Sequence, residues 1–151
     1  MPDDPKSADA RARALAHYTE RINAHPSLQH FGAKVAFPDE ARVTVEVSPV
    51  PLTLRGGFGD DRVVNGGVLS ALCDLLIGCT AALVDPTNRS ATVQLSIRLE
   101  QPLLGDRIVG EARVDRSAGR LVFSSAEICD ETGKVCVRCQ GMVSRGGGPK
   151  A

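Results

Sequence analysis

The chain has 151 residues, with 18 basic and 18 acidic side chains and a formal net charge of zero. This length fits one domain with a sizeable core, and the balanced charge argues against nucleic-acid binding through bulk electrostatics. Aromatic residues make up only 3 % of the chain, so a base-stacking platform is not expected either.

The five cysteines predict buried thiols. Their number is odd, and the N-terminus lacks the apolar segment of a secretory signal, so we expect a reducing cytoplasm and no disulfide framework. Cys136 and Cys139 form a C-x-x-C pattern, but this spacing on a strand sends the two thiols to opposite faces. No second pair completes a zinc site, and we expect neither a metal nor another cofactor.

The first part of the chain predicts a helix, a hairpin and a long loop. Residues 7–24 carry apolar side chains at helical spacing, with Ser7 as the N-cap. Residues 33–37 and 42–47 alternate between apolar and polar side chains, which is typical of paired strands. Residues 48–64 contain two prolines and three glycines, and a loop of this length is usually functional or mobile.

A nearly uniform apolar segment follows, over Gly66–Val84. Asp74 is its only charged residue, and Asn65, Gly66 and Gly67 precede it as a polar cap and two small residues. The segment approaches the length of a membrane span, but the acid, the two glycines and several Ser, Cys and Thr residues favour a buried core helix. An isolated carboxylate in such a helix is costly to bury unless it is paired, protonated or used.

Four strand-like segments complete the chain, over residues 91–99, 107–115, 120–129 and 134–144. Short turns between them favour antiparallel pairing and predict a four-strand meander. The economical fold is of the α+β class, with a curved antiparallel sheet of about six strands around the central helix. We expect an N-terminal helix and lead-in over 1–32, the main domain over 33–144 and a flexible tail over 145–151.

The start of the central helix and its lone acid could act together on a carbonyl. A helix N-terminus exposes unpaired N–H groups, which can polarise a carbonyl as negative charge develops, and Asp74 could attack it or activate water. Eight residues separate Gly66 from Asp74, or about 12 Å along the helix. Both can act on one substrate only if the acid comes from a second, symmetry-related subunit. The alternatives are that Asp74 is a hydrogen-bonded structural acid, and that Gly66 and Gly67 only allow the helix to pack tightly against the sheet.

From Asn65 onward the chain resembles the hotdog-fold acyl-CoA thioesterases of the 4-hydroxybenzoyl-CoA and phenylacetyl-CoA type. The run from Asn65 to Asp74 is similar to their His-Gly-Gly signature with its later Asp, and residues 91–97 and 102–106 match the strand and turn that follow. The resemblance implies a homodimer, often paired into a tetramer. It also implies that Asp74 is the catalytic acid, that the Gly66 N–H polarises the thioester, and that Thr92 orients the water or the acid.

Two positions depart from that signature. Asn65 replaces the histidine and can still cap the helix and donate a hydrogen bond, and Gly59 stands where an asparagine is usual, with Asp60 or Asp61 as a possible substitute. We therefore include Asn65 in the catalytic set. Substrate contacts are expected from the following residues, the arginines being candidates for the phosphates of coenzyme A: Gly67, Phe58, Asp60, Arg89, Arg116 and Arg120.

The leading functional hypothesis is hydrolysis of an acyl-CoA or aroyl-CoA thioester. The departures at Asn65 and Gly59 favour an alternative, a non-catalytic hotdog protein that binds acyl-CoA or a related ligand. Hydration or dehydration of an enoyl thioester ranks last, because that chemistry commonly needs an Asp–His pair and no histidine follows His30. Neither nucleic acid nor a membrane is expected as a partner.

Overall fold

The fold is known from a computed structural model, which describes residues 5–146. It contains four α-helices and six strands in the order α1, α2, β1, β2, α3, α4, β3, β4, β5, β6, with two short 3-10 helices, Leu52–Leu54 and Gly57–Gly59, in the long loop before α3. The helices are α1 Pro5–Asn23, α2 Pro26–Phe31, α3 Gly66–Cys79 and α4 Ala81–Val84. The strands are β1 Ala33–Ala36, β2 Arg42–Val47, β3 Ser90–Leu99, β4 Ile108–Ala118, β5 Leu121–Cys129 and β6 Val135–Arg145. This is the predicted α+β architecture.

All six strands form one antiparallel sheet in the order β1-β2-β4-β5-β6-β3. The predicted four-strand meander is wrong in one respect, because β3 pairs with β6 and not with β4. After β3 the chain crosses the end of the sheet, where Leu103 O accepts from Val64 N and Asp106 O accepts from Val50 N. These bonds hold the crossing segment against the loop that follows β2. The next strand, β4, pairs with β2, and β3 remains an edge strand of the sheet.

The sheet wraps α3, and two glycines permit the close approach. A Cβ at Gly110 would lie 2.6 Å from Leu76 Cδ1, and a Cβ at Gly141 would lie 2.6 Å from Ile77 Cγ2. Larger residues at these two strand positions would push the helix away from the sheet. The helix buries an apolar set on this side: Leu69, Leu72, Cys73, Leu76, Ile77 and Cys79.

The apolar segment Gly66–Val84 is long and hydrophobic enough to cross a membrane by length and composition. In the fold, more than half of it is buried under the sheet, which is the position of a core helix. The segment is also divided, since α3 ends at Cys79 and α4 begins at Ala81. Between them, the buried Thr80 hydroxyl donates to Ile77 O at 2.6 Å and lies 2.6 Å from Ser124 Oγ.

The N-terminal helix covers the β1 edge of the sheet and the end of α4. The Asn23 side chain exchanges two 2.8 Å hydrogen bonds with the backbone of Val35 in β1, and the Arg11 guanidinium donates to Leu83 O and Val84 O. Ser7 lies inside α1, which begins at Pro5, so its predicted role as the N-cap is wrong.

The segment after α1 forms α2, a helix that the sequence analysis did not predict. His25 caps α2, and Gly32 ends it in a left-handed conformation. At the other end of the chain, Arg145 is still part of β6, and Gly146 N donates to Arg89 O at 2.7 Å. The remaining residues of the predicted tail, 147–151, lie outside the described residues.

Candidate active site

The N-terminus of α3 presents one free backbone donor. The Asn65 side chain accepts from Gly67 N at 2.8 Å, and Asn65 O accepts from Val68 N at 3.0 Å and Leu69 N at 3.2 Å. The Gly66 N–H has no acceptor among the residues that the structure describes. Asn65 thus satisfies the remaining donors of the first turn, and Gly66 alone faces outward with the partial positive charge of the helix end.

Asn65 is held in place from the preceding loop. Its N–H donates to Leu54 O at 2.8 Å, and its backbone is extended, with φ −63° and ψ 134°. The predicted capping role of Asn65 is confirmed. Asn65 Oδ1 is occupied as an acceptor by Gly67 N–H, and the Nδ2 group of this side chain remains as a donor to a bound molecule.

An apolar cleft with a volume of about 260 Å³ lies beside this helix end. Gly66 lies close to its wall, since a Cβ at this position would be 3.0 Å from Leu99 Cδ1. The cleft is lined by residues from the long loop, α3 and the crossing after β3: Gly57, Phe58, Val63, Val64, Gly66, Leu69, Leu99, Glu100, Gln101, Pro102 and Leu103. Sequence reasoning found Phe58 and Gly66 but missed the residues at 99–103, which lie far away along the chain.

Asp74 lies on the face of α3 that the sheet leaves open. Its side chain is exposed in the single chain, and it does not line the cleft. Eight residues, or about 12 Å of helix, separate it from Gly66, as the sequence predicted. Burial raises the pKa of the Cys79 thiol to about 11, and the negative charge of Asp74 contributes to this increase.

Thr92 lies against the C-terminal half of α3. Thr92 Oγ1 would be 3.4 Å from a Cβ at Gly78, which is one helical turn beyond Asp74. The contacts Leu99–Gly66 and Thr92–Gly78 also show that β3 and α3 run in opposite directions. The start of β3 therefore lies at the C-terminal end of α3, and its end lies at the cleft.

The long loop holds Phe58 and Asp60 in different environments. Phe58 lines the cleft and is 89 % exposed. The Asp60 carboxylate pairs with the Arg62 guanidinium at 2.6 Å, and this hydrogen-bonded pair lowers the pKa of Asp60 to about 2. Asp60 does not line the cleft, so the structure does not place its charge beside the Gly66 amide. Gly59, where the resembled signature has asparagine, has a left-handed φ of 70°.

The three predicted phosphate-binding arginines lie at the opposite end of the sheet from the cleft. Arg89 O accepts from Gly146 N at 2.7 Å, and Arg120 Nε donates to Arg145 O at 3.0 Å, so both residues adjoin the end of β6. The Arg116 guanidinium stacks 4.2 Å above the Phe123 ring. All three are exposed. Within one chain, the structure does not bring them to the Gly66 amide.

The cysteines are all free thiols, and all but the partly buried Cys129 are buried. Within residues 5–146, no group of three or more His, Cys, Asp or Glu side chains is arranged to hold a metal ion. Cys139 lies on the helix-facing side of β6 near Cys73, whereas the Cys136 thiol lies near Pro102 O at 3.7 Å. The two thiols of the C-x-x-C pattern therefore have different neighbours, and both are buried.

Comparison with known proteins gives the same fold. The family model described as the thioesterase superfamily matches residues 62–137. A Shewanella oneidensis protein related to that superfamily superposes with a TM-score of 0.79 at 19 % identity, covering 89 % of this chain and 97 % of its own. The Escherichia coli PaaI protein from the phenylacetic acid degradation operon gives a TM-score of 0.74 at 19 % identity, covering 92 % and 96 %.

A third similar structure is a thioesterase from Haemophilus influenzae, with a TM-score of 0.74 at 15 % identity, covering 87 % of this chain and 89 % of its own. At these identities the structures establish the hotdog fold alone. No curated protein matches the sequence.

Proposed function

The chain belongs to the thioesterase superfamily, and from that premise we propose that it hydrolyses an acyl-CoA or aroyl-CoA thioester to the free acid and coenzyme A. Membership supports thioester hydrolysis in general. The observation that carries the proposal is the Gly66 N–H, the one unpaired amide of the first turn of α3, which opens beside an apolar cleft. Such a donor stabilises the oxyanion that forms when a thioester carbonyl is attacked.

The reaction begins with the thioester carbonyl oxygen accepting a hydrogen bond from Gly66 N–H. Asp74 then attacks the carbonyl carbon, or removes a proton from a water that attacks it. The tetrahedral intermediate collapses, the C–S bond breaks, and the coenzyme A thiolate leaves and is protonated. Where water attacked, the free acid forms directly. Where Asp74 attacked, a mixed anhydride with its carboxylate remains, and water hydrolyses it to the free acid and the restored carboxylate. Thr92, which lies against α3 at Gly78, one helical turn beyond Asp74, is the proposed group that orients the water or the carboxylate.

The acid must come from a second protomer, because about 12 Å separates Gly66 from Asp74 within one helix. A two-fold axis that brings Asp74 of one protomer to Gly66 of the other passes near Ser70, midway between them. Leu99 lies beside Gly66 and Thr92 lies beside Gly78, so the β3 residue nearest to Ser70 is about Ser96. The same axis therefore passes near Ser96. The edge strand β3 is free to pair there, and it carries the exposed apolar side chains Val93 and Leu99.

This dimer also gives the arginines a role. Antiparallel pairing of two β3 strands places the start of one strand beside the end of the other. Arg89, Arg116 and Arg120 of one protomer therefore lie on the side of the other protomer's cleft, where they can bind the phosphates of coenzyme A. Asn65 and Gly67 complete the binding site at the N-terminus of α3. The five free thiols support a cytoplasmic location.

The direct test is thiol release from a panel of acyl-CoA and aroyl-CoA compounds. The wild type should release thiol, and Asp74→Asn should lower kcat by at least a hundredfold because it removes the base or nucleophile. Asp9→Asn is the matched control, since it neutralises an exposed carboxylate on α1 far from the cleft. Equal rates for the wild type and Asp74→Asn would refute the proposal.

The alternative function is ligand binding without turnover, which the asparagine at position 65 favours because it cannot titrate. In that case acyl-CoA would raise the melting temperature of the wild type without releasing thiol. Asp74→Asn would show the same stabilisation. This pair of results would replace the hydrolase by a carrier or sensor.

A further inference from the structure

Phe58 has an unusual conformation and environment. It is the only non-glycine residue within 5–146 with a left-handed backbone, at φ 56° and ψ 20°. Its side chain is also 89 % exposed, the largest exposure among the exposed large hydrophobic residues. Both properties cost free energy, because bulky residues avoid this conformation and a phenyl ring is better buried. Backbone outliers of this kind concentrate at functional sites.

The loop around Phe58 is held by its own backbone. Gly56 N and Gly57 N both donate to Val63 O, at 2.9 and 3.1 Å, and Asp60 N donates to Gly57 O at 3.0 Å. The Arg62–Asp60 pair closes the same loop. These bonds place Phe58 at the loop tip whether or not its ring makes contacts. The ring is thereby held at the mouth of the cleft beside Gly66.

The cleft has the chemistry of an acyl-group pocket. Leucine, valine and proline side chains dominate its lining, and no Lys, Arg or His lines it. Its one acid, Glu100, is paired with Arg138 at 2.5 Å. A carboxylated acyl group would find no cation there, and the amides of the pantetheine arm of coenzyme A would find few partners. An uncharged apolar chain or ring meets no such penalty.

The size of the cleft limits the length of that group. Its volume of about 260 Å³ equals roughly nine water molecules at about 30 Å³ each. A methylene group is of similar size, so a medium-length chain or a single aromatic ring fits. A long fatty acyl chain would extend beyond this volume.

We propose that this cleft binds the acyl group of the substrate and that the Phe58 ring closes over the bound group. The cleft then selects uncharged acyl groups that are of medium length or contain one aromatic ring. The inference rests on the proposed hydrolysis, because the carbonyl at Gly66 N–H is what places the acyl group in the cleft. Phe58 is then a specificity-determining residue. Its exposure is relieved when substrate binds.

The test compares kcat/KM for acetyl-, octanoyl-, phenylacetyl-, palmitoyl- and succinyl-CoA. For the wild type, octanoyl- and phenylacetyl-CoA should be the best substrates. Phe58→Ala should lower kcat/KM for octanoyl-CoA about tenfold and leave acetyl-CoA within about twofold, because only the longer group reaches the ring. Leu52→Ala is the matched control, since Leu52 is 81 % exposed in the same loop but does not line the cleft.

Several results would overturn the inference alone. They are a wild-type preference for palmitoyl- or succinyl-CoA, equal losses for acetyl- and octanoyl-CoA in Phe58→Ala, or no loss at all. Conversion of Phe58→Ala to a monomer would also overturn it by assigning the ring to the subunit interface. A wild type that releases no thiol from any compound would refute the proposed hydrolysis itself.

Discussion

Replacing Gly66 by proline removes the proposed oxyanion donor and little else. Proline has no N–H, and the Gly66 N–H donates to no acceptor within the described chain, so no internal hydrogen bond is lost. Gly66 is the first residue of α3, a position that proline favours. The preceding residue, Asn65, already has φ −63° and ψ 134°, which is an extended conformation that a following proline requires.

The expected loss can be worked out from the site. Removing one oxyanion donor lowers kcat by about 10²–10³-fold, or roughly 3–4 kcal/mol of transition-state stabilisation. The added ring meets Leu99 Cδ1, which lies 3.0 Å from an ideal Cβ and ends a half-exposed, flexible side chain. Gly66→Ala meets the same atom but keeps the N–H, and it is the matched control. The alanine variant should therefore retain most of the wild-type activity.

The assay is thiol release under single-substrate saturation, with thermal unfolding measured in parallel. We expect Gly66→Pro to lose kcat by a hundredfold or more while its melting temperature stays within a few degrees of that of Gly66→Ala. Equal activity of the proline and alanine variants would refute the assignment of Gly66 N–H as the donor. Equal, large losses in both would show that the Leu99 contact, and not the amide, matters.

Three further predictions concern the fold and the helix end. Asn65→Ala should lower the free energy of unfolding by about 1 kcal/mol through the lost cap, and equal chemical-denaturation midpoints for variant and wild type would contradict this. Gly141→Ala should cost about 1–3 kcal/mol by overpacking, because its Cβ would meet Ile77 and the Gln94 carbonyl within 3 Å; an unchanged melting temperature would show that the sheet can yield. Hydrogen bonds from Arg62 and from the Thr87 hydroxyl lower the pKa values of Asp60 and Asp85, respectively, so the unfolded chain binds protons first as the pH falls. The free energy of unfolding should therefore decrease progressively below about pH 5. Melting temperatures measured across this pH range would test this, and a constant melting temperature would contradict it.

Local patterns in the sequence predicted the elements well. Turn residues such as Gly119 and Gly133, both left-handed in the structure, marked the boundaries of the last strands. The cap at Asn65 and the separation of Gly66 from Asp74 follow from the helix alone, so these two features of the site could also be predicted.

The misses depend on contacts between distant parts of the chain. The position of β3 beside β6 is fixed by the crossing after Leu99, whose bonds to the long loop have no local signature. The cleft forms where that crossing meets α3, which is why Leu103 and its neighbours were not predicted. At the N-terminus, α2 was missed because its first residue is Pro26, and proline ends a helix when it lies in the interior but is favoured at the first position.

Co-expression of two inactive variants, Asp74→Asn and Gly66→Pro, tests the composite site most directly. In a mixed dimer, one site combines the intact Gly66 of one subunit with the intact Asp74 of the other, and the second site lacks both. If the subunits mix at random, half of the dimers are mixed and about a quarter of the wild-type activity should return. No recovery in mixed dimers whose formation is confirmed by mass would contradict catalysis across the subunit interface.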